Sequence, residues 1–294
     1  MPGVSPLRYV SLAVLFSLLW ASAFVVVKIA LRDVPPLFLM ASRFLVAGAA
    51  LLAFAVARGR RLPTTSQWPV IALLGVLNYA LYLGLTALAL RHLSAGMGAV
   101  LASLNPLLVA IVAPWVLGER LTVRKVVGLV TSFGGVTWVM WGRLGDDNRP
   151  SAMMLVGLAA VCIVTAALIF KRLSPDRDLM VLNGGQLLVA GLVLAVPSLA
   201  WEPLAGLRLT STFVVAWLYL IGGISWLAMG LWFWLLRHGD ATRASAYFFL
   251  NPIFGLVLGA LFLGEPMGLS ISSAQQPSRQ ASTWSSAGSR YTAS

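Results

Sequence analysis

The chain consists of long apolar stretches separated by short polar links. Each stretch is close to the ~20 residues that a helix needs to cross a bilayer. Most of the arginine, proline and aspartate residues lie in the links. The pattern predicts nine membrane-spanning helices, over residues 9–31, 36–58, 67–90, 95–117, 122–142, 151–171, 179–200, 211–236 and 242–264.

The composition supports a membrane protein. Of the 294 residues, 59% are hydrophobic and 10% are charged, whereas a soluble domain has about 25% charged residues. This excludes an ordinary soluble enzyme, a disordered chain and a fibrous repeat, and it leaves the lipid bilayer as the surrounding medium. Cys162 is the only cysteine, which excludes an intrachain disulfide.

The basic residues predict the orientation of the chain. The net charge is +12, but the basic residues are scattered between apolar runs, so no nucleic-acid partner is predicted. If the N-terminus is inside, twelve Lys and Arg residues lie in the inner segments and five in the outer ones. This bias is typical of bacterial inner-membrane proteins, and it predicts a multi-pass protein with a cytoplasmic N-terminus. Lys28 and Arg43 lie within spans, and we expect both side chains to extend towards the interface; a role in attracting an anionic group is the alternative.

The chain contains an internal repeat. Residues 104–119 (LNPLLVAIVAPWVLGE) align without a gap with residues 250–265 (LNPIFGLVLGALFLGE), at an offset of 146 residues. A repeat of five spans is odd in number, so the second copy would enter the membrane upside down. Inverted repeats are typical of secondary transporters, whose substrate site lies near the midplane. We predict an all-α integral membrane fold with a first repeat over 1–142 and a second, inverted repeat over 143–267.

The end of the chain departs from this repeat. A tenth span should follow residue 267, but residues 268–294 are polar, rich in serine and unable to cross a membrane. Shifted by one reading frame, their codons can encode an apolar span whose two glycines match the register of Gly128 and Gly135. We hypothesise that this tail is a frameshifted tenth span; the alternative is a native polar tail. Sequencing of the source gene distinguishes the two.

No catalytic or metal-binding motif is present. The sequence has no HExxH, no GxSxG and no P-loop lysine motif, so we predict a non-enzyme without a cofactor. All nine acidic residues lie in links or at span ends. This disfavours proton coupling through a buried carboxylate, although backbone carbonyls could still bind an ion.

Polar and amphipathic side chains inside the spans are the candidate substrate-binding residues, because each is costly in lipid without a partner. They are Trp20, Ser22, Asn78, Tyr79, Tyr82, Ser103, Thr165, Trp226 and Tyr247. Asn78 and Tyr82 are four residues apart and should share one helix face. The alternative is hydrogen bonding between helices, worth ~0.6 kcal/mol on average.

Two further features concern the shape and packing of the helices. The Asn-Pro pairs, Asn105-Pro106 and Asn251-Pro252, predict hinges or helix breaks, because proline removes a backbone hydrogen bond; a simple packing kink is the alternative. The glycines Gly128, Gly134 and Gly135 predict that the fifth span is a close-packing element or a homodimer contact.

The motifs resemble the drug/metabolite transporter superfamily, EamA-type branch. They are LLWASAF around Trp20, Arg43-Phe44, and the two Asn-Pro to Gly-Glu segments, and the resemblance covers residues 8–267. It implies ten helices in two inverted repeats, both termini in the cytoplasm, and export of small metabolites through a cavity lined by spans 1, 3, 4, 6, 8 and 9. The aromatic amino-acid exporters of the YddG type are the subgroup it resembles most. The missing tenth span departs from the family pattern.

These observations predict a secondary transporter in the inner membrane. It would export small metabolites, amino acids first among them, by alternating access between the repeats, as a facilitative carrier or an exchanger. The alternatives are an exporter of drugs or quaternary ammonium compounds and a non-transporting membrane scaffold or enzyme. A quaternary ammonium cargo usually requires a buried acid or an aromatic cage.

Overall fold

The structure of the chain is a computed structural model, which describes residues 5–119, 122–141, 149–173 and 178–265. Within these ranges the regular structure is helical. The α-helices are α1 (Pro6–Ala30), α2 (Pro36–Ala57), α3 (Trp68–Gly75), α4 (Tyr82–Ala89), α5 (Ala95–Ala102), α6 (Asn105–Leu117), α7 (Val123–Trp141), α8 (Pro150–Leu173), α9 (Leu179–Trp201), α10 (Ser211–Tyr219), α11 (Met229–His238), α12 (Ala241–Ala246) and α13 (Asn251–Leu263). The predicted tail, 268–294, lies outside the described residues.

Several α-helices are joined end to end through tighter or wider turns. A π-helical segment, Val76–Leu81, connects α3 with α4, and a second one, Leu220–Ala228, connects α10 with α11. A 3₁₀ turn, Tyr247–Leu250, connects α12 with α13. The two π segments start close to equivalent positions of the two repeats. π-helical segments are rare in proteins, and those that occur often lie at functional sites.

Eight helical segments of the described chain are long and apolar enough to cross a membrane. They are Pro6–Ala30, Pro36–Ala57, Thr65–Ala89, Ala95–Leu117, Pro150–Leu173, Leu179–Trp201, Ser211–His238 and Ala241–Leu263. Each coincides with one predicted span. The remaining predicted span is the 19-residue helix α7, which carries Arg124 and Lys125 in its first turn and is not among the eight.

The two repeats are inverted relative to each other. The carboxylate of Glu265, just after α13, accepts a hydrogen bond from the backbone N–H of Ala95 at the start of α5. The carboxylate of Glu119, just after α6, accepts one from the N–H of Ala241 at the start of α12. The pair α5–α6 therefore runs antiparallel to its repeat equivalent, α12–α13. This confirms the predicted all-α fold with inverted repeats.

Glycine fixes the ends of α6 and α13. Gly118 and Gly264 have φ values of 67° and 68°, in the left-handed region that closes a helix without a Cβ penalty. The glutamate that follows each glycine is thereby directed towards the other repeat, which explains why the motif is Gly-Glu in both copies.

The most extensive helix packing in the described residues joins α2 with α9, the second spans of the two repeats. A Cβ at Gly48 would lie 2.7 Å from the backbone nitrogen of Leu188, and one at Gly191 would lie 2.8 Å from that of Leu45. The fifth span was predicted to be a close-packing element or a homodimer contact, and its glycines make no such close approach to another helix of the described residues. A Cβ at Gly128, Gly134 or Gly135 meets nothing within 4 Å, so this face of α7 is open.

Candidate functional site

Both Asn-Pro pairs lie where a span is interrupted. α5 ends at Ala102 and α6 begins at Asn105, with Pro106 in its first turn. In the other repeat α12 ends at Ala246, and α13 begins at Asn251 after the 3₁₀ turn. Proline is well suited to the first turn of a helix, where no backbone N–H partner is required. Each of these two spans is thus made of two helical pieces.

The asparagines at these interruptions are buried without hydrogen-bond partners. Asn105 is 2% exposed and Asn251 is 0% exposed. Among the described residues, neither the side-chain oxygen nor the side-chain nitrogen of either asparagine has a hydrogen-bond partner of good geometry, although the Asn105 amide lies close to the Tyr82 hydroxyl. An unpaired buried polar group costs about 1–3 kcal/mol, so four such atoms at repeat-equivalent positions need an explanation beyond packing.

A small cavity lies between α1, α2 and α4 near the interruptions. Its volume is about 20 Å³, and it is lined by Trp20, Ala23, Phe24, Val27, Met40, Arg43, Tyr82, Leu83, Thr86, Ala87, Leu90 and Ile224. The Trp20 indole N–H donates to the Tyr82 hydroxyl over 3.2 Å, and the two rings are stacked with centroids 6.0 Å apart. This space holds about one water molecule. The cavity is therefore closed to larger solutes in this conformation.

Arg43 is the charged residue of the cavity wall, and it is not among the nine predicted substrate-binding residues. We expected Arg43 to extend towards the interface, but its side chain is buried, with 1% exposed. The guanidinium lies over the Phe44 ring at 4.6 Å, and Nε and Nη1 have no hydrogen-bond partner. The available signal was its position about two turns into α2, since ionisable residues at this depth usually face the bundle interior.

The Glu119 cluster closes one end of the bundle. The Glu119 carboxylate accepts hydrogen bonds from the N–H groups of Ala241 and Thr242, at 2.6 and 3.2 Å, and from the Thr242 hydroxyl at 2.9 Å. Lys171 Nζ lies 3.9 Å from it and donates to the carbonyls of Leu236 and Gly239. A carboxylate at a helix N-terminus is stabilised by unpaired N–H groups and by the helix dipole.

The Glu265 cluster closes the opposite end in the same way. The Glu265 carboxylate accepts from the N–H groups of Ala95 and Gly96, at 2.8 and 3.1 Å. Lys28 Nζ lies 3.4 Å from it. Ala95 and Gly96 are the repeat equivalents of Ala241 and Thr242, so each repeat's Gly-Glu glutamate caps the broken span of the other. Sequence reasoning placed both glutamates at span ends but did not predict this pairing.

A basic vestibule lies outside the Glu265 cluster. This open pocket of about 340 Å³ is lined by Lys28, Leu31, Arg32, Leu90, Arg91, Leu263 and Glu265. Leu90, which is buried, also lines the central cavity, so the two spaces adjoin at this residue. The vestibule carries three basic groups against one acid.

The candidate residues of the third span do not line one common site. Tyr82 faces the cavity, but Asn78 donates to Gln186 of α9 over 2.8 Å, and the Tyr79 hydroxyl donates to Asn183. The π segment Val76–Leu81 widens the helix at this point. The four-residue spacing therefore does not place Asn78 and Tyr82 on one face, as it would in an α-helix. Asn78 and Tyr79 instead join the third span to α9.

The remaining candidates are dispersed over the molecule. Ser22 bonds the Tyr219 hydroxyl at 2.6 Å in an apolar groove between α1, α10 and α13, and the Trp226 indole N–H donates to the Ala47 carbonyl. Ser103 bonds the carbonyl of Val100, and Tyr247 packs against Tyr9. Thr165 is exposed and bonds within its own helix. Of the nine predicted residues, Trp20 and Tyr82 line the cavity.

The described residues contain no group that could hold a metal. In residues 5–119, 122–141, 149–173 and 178–265, no three His, Cys, Asp or Glu side chains lie close enough to share an ion. Six acidic residues fall in these ranges, all at helix ends or in links.

The fold and the paired helix breaks define a membrane protein of the inverted-repeat transporter class. The model of the EamA-like transporter family matches the chain twice, over residues 7–141 and 150–272. The chain therefore belongs to the EamA-like transporter family and is a membrane transporter of the drug/metabolite transporter superfamily.

Named relatives and a solved structure agree with this assignment. The chain is 26% identical to the uncharacterized transporter YvbV of Bacillus subtilis (strain 168), over 86% of this chain and 83% of YvbV. It is 28% identical to the uncharacterized inner membrane transporter YedA of Escherichia coli (strain K12), over 85% and 81%. A solved crystal structure has a TM-score of 0.71 at 22% identity, over 92% of this chain and 91% of that one, which supports the fold alone.

Proposed function

We propose that this transporter exports small metabolites, amino acids in the first place, by alternating access between its two repeats. In this proposal it is a facilitative carrier or an exchanger and not an enzyme. It lies in the inner membrane with the N-terminus in the cytoplasm, as the distribution of basic residues predicts. The Glu119 cluster then lies at the cytoplasmic end and the Glu265 cluster at the external end.

The observation that carries the proposal is the reciprocal capping at the two ends. Glu119 and Glu265 each hold the start of the other repeat's broken span, and the central cavity lies between these two contacts. Release of one contact opens one end while the other stays closed, which is the requirement for alternating access. Both contacts are formed and the cavity volume is about 20 Å³, so we interpret this conformation as the occluded state of the proposed cycle.

The helix breaks supply the moving parts in this mechanism. Asn105-Pro106 and Asn251-Pro252 act as hinges. When Glu265 or Glu119 is released, the helical piece that it caps, α5 or α12, tilts about the hinge of that span. Asn105 and Asn251 then gain water or solute as hydrogen-bond partners, which accounts for their unpaired atoms in the occluded state. Trp20 and Tyr82 provide aromatic faces for the solute body.

The placement of the acidic groups supports transport without proton coupling through a carboxylate. Glu119 and Glu265 are engaged at the ends, and Glu202 accepts from the N–H groups of Leu37 and Phe38 at the start of α2. No acidic residue is among those that line the central cavity. We therefore expect flux to follow the solute gradient.

The test is counterflow of radiolabelled amino acids in proteoliposomes, with and without a proton gradient. Uptake that needs no proton gradient and falls at least about tenfold in Trp20→Ala supports the proposal. Trp115→Ala is the matched control, because Trp115 is 88% exposed on α6 and should keep wild-type uptake. Counterflow of a quaternary ammonium compound without counterflow of any amino acid would contradict it.

We also infer that the open glycine face of α7 contacts a second copy of the chain. Gly128, Gly134 and Gly135 leave room for close helix approach, and nothing in the described chain fills it. The mass of the detergent-solubilised protein tests this: a dimer that becomes a monomer in Gly128→Leu supports the contact, and a monomeric wild type contradicts it.

A further inference from the structure

We propose that Arg43 is the anion-recognition residue of the central cavity, and that the transported solutes carry a carboxylate. The inference rests on the proposed function, since it assigns a chemical class to the transported solute. It is carried by the burial of Arg43, its unpaired donors, the composition of the cavity wall and the basic vestibule next to it.

Arg43 is a buried charge without a compensating partner in the described chain. It is absent from the four ion pairs found there, and its neighbours are the Phe44 ring and the phenol of Tyr79, neither of which carries a negative charge at neutral pH. Removing one charge from water without pairing it is strongly destabilising, and a cation–π contact offsets only a part of that. An unpaired guanidinium at this depth requires an anion at some stage of the working cycle.

The unpaired donors of Arg43 suit a carboxylate. Nε and Nη1 are both without hydrogen-bond partners among the described residues and lie on different edges of the guanidinium, so each can donate a charge-assisted hydrogen bond to a carboxylate oxygen. Tyr82 and Thr86 line the same cavity, and their hydroxyls can serve the remaining polar group of the solute. The stacked rings of Trp20 and Tyr82 provide an apolar face for its body.

The vestibule next to the cavity is positively charged, as Arg43 is. Lys28, Arg32 and Arg91 line the vestibule, and the vestibule adjoins the cavity at Leu90. A cleft lined by charges of one sign concentrates ions of the opposite sign. When Glu265 leaves Ala95 and Gly96, the path joins three basic groups to Arg43, which suits passage of an anionic group and opposes a permanent cation.

The experiment compares three solutes of similar size and different charge. They are phenylalanine, 3-phenylpropionate, which lacks the amine, and phenethylamine, which lacks the carboxylate. Thermal stabilisation of the purified full-length protein in detergent measures binding, and counterflow in proteoliposomes measures transport. We expect phenylalanine and 3-phenylpropionate to stabilise the wild type and phenethylamine not to.

Three variants separate recognition from folding. Arg43→Gln should weaken binding of both carboxylates at least about tenfold and abolish the preference over phenethylamine. Arg43→Lys keeps the charge but not the fork, and should retain part of the preference. Arg58→Gln is the matched control, because Arg58 is at the exposed end of the same helix and also lies over a phenylalanine, Phe54, at 4.8 Å. It should behave as wild type.

The outcomes distinguish this inference from the proposed function. If the wild type binds and transports phenethylamine to the same extent as phenylalanine, the role proposed for Arg43 is wrong, whereas the proposed transport function is still supported. If carboxylates stabilise the wild type through Arg43 but no solute crosses the membrane, binding at Arg43 stands and the transport proposal is wrong. If chloride stabilises the protein as strongly as 3-phenylpropionate, an inorganic ion neutralises Arg43 and the assignment of the solute is overturned.

Discussion

The Glu119 and Glu265 clusters have the same plan but unequal strength. Glu119 accepts three hydrogen bonds and is 7% exposed, whereas Glu265 accepts two from the helix start and is 14% exposed. The difference is one residue: Thr242 in one repeat, and Gly96 at the equivalent position. Because Gly96 has no hydroxyl, Glu265 lacks this bond from the helix start, and its third hydrogen bond comes from Lys28 Nζ at 3.4 Å.

The lysines of the two clusters are unequal as well. Lys171 Nζ donates to two backbone carbonyls at the end of α11 in addition to facing Glu119. Lys28 faces Glu265 alone among the described residues and borders the vestibule. From the helix-start hydrogen bonds and the exposure we expect the Glu265 end to open at lower cost, towards the basic vestibule, although the Lys28–Glu265 ion pair, at 3.4 Å, is shorter than the Lys171–Glu119 pair, at 3.9 Å. The inverted repeats therefore need not be energetically equivalent, although their backbone plan is shared.

Removal of each carboxylate is the strongest test of this comparison. Glu119→Ala should lower the free energy of unfolding by about 3 kcal/mol and Glu265→Ala by about 2 kcal/mol, because a charged acceptor of backbone N–H groups is lost in both and the hydroxyl bond only in the first. Denaturant titration in detergent micelles measures both values, each variant serving as the control for the other. A larger loss in Glu265→Ala would reverse the order of the two ends.

The lysines give the second test. Lys171→Met should cost about 1.5 kcal/mol, because the ends of α8 and α11 lose two hydrogen bonds, and Lys28→Met about 0.5 kcal/mol, as expected of a half-exposed pair. The same titration measures stability. Counterflow adds a second readout: Lys28→Met should raise the KM for a carboxylate solute a few-fold by weakening attraction in the vestibule, and Lys171→Met should not. Equal KM changes would contradict the assignment of the vestibule.

The repeated motif could be predicted from the sequence, and its contacts could not. The apolar pattern predicts the spans, and the 146-residue offset relates Asn105-Pro106 to Asn251-Pro252 before any coordinates are known. That Glu119 caps Ala241 depends on which helix start lies beside it in space. The available signal was chemical: a glutamate after a glycine C-cap, in a chain whose broken helices each have unpaired N–H groups.

The residues that line the cavity were only partly predictable, because the sequence analysis assumed α-helical periodicity throughout the third span. Asn78 and Tyr82 would share a face in an α-helix, but the π segment over Val76–Leu81 separates them. No residue type in the sequence predicts a π segment. Arg43 was missed for a different reason. Lys and Arg near span ends usually extend to the interface, and sequence distance alone does not show that Arg43 lies within reach of Trp20 and Tyr82 instead.

Thr242→Val removes the feature that distinguishes the two ends and gives the smallest expected effect. Valine keeps the shape of the side chain while Glu119 loses the bond from the hydroxyl, so stability should fall by about 1 kcal/mol. In the Glu119→Ala background the same change should cost close to nothing, because the acceptor is already absent. Thr131→Val is the matched control, since its exposed hydroxyl bonds only carbonyls of its own helix, and it should stay within about 0.5 kcal/mol of wild type. If Thr242→Val costs as much with Glu119 absent as with Glu119 present, the hydroxyl does not strengthen this contact, and the inequality of the two ends must come from the lysines alone.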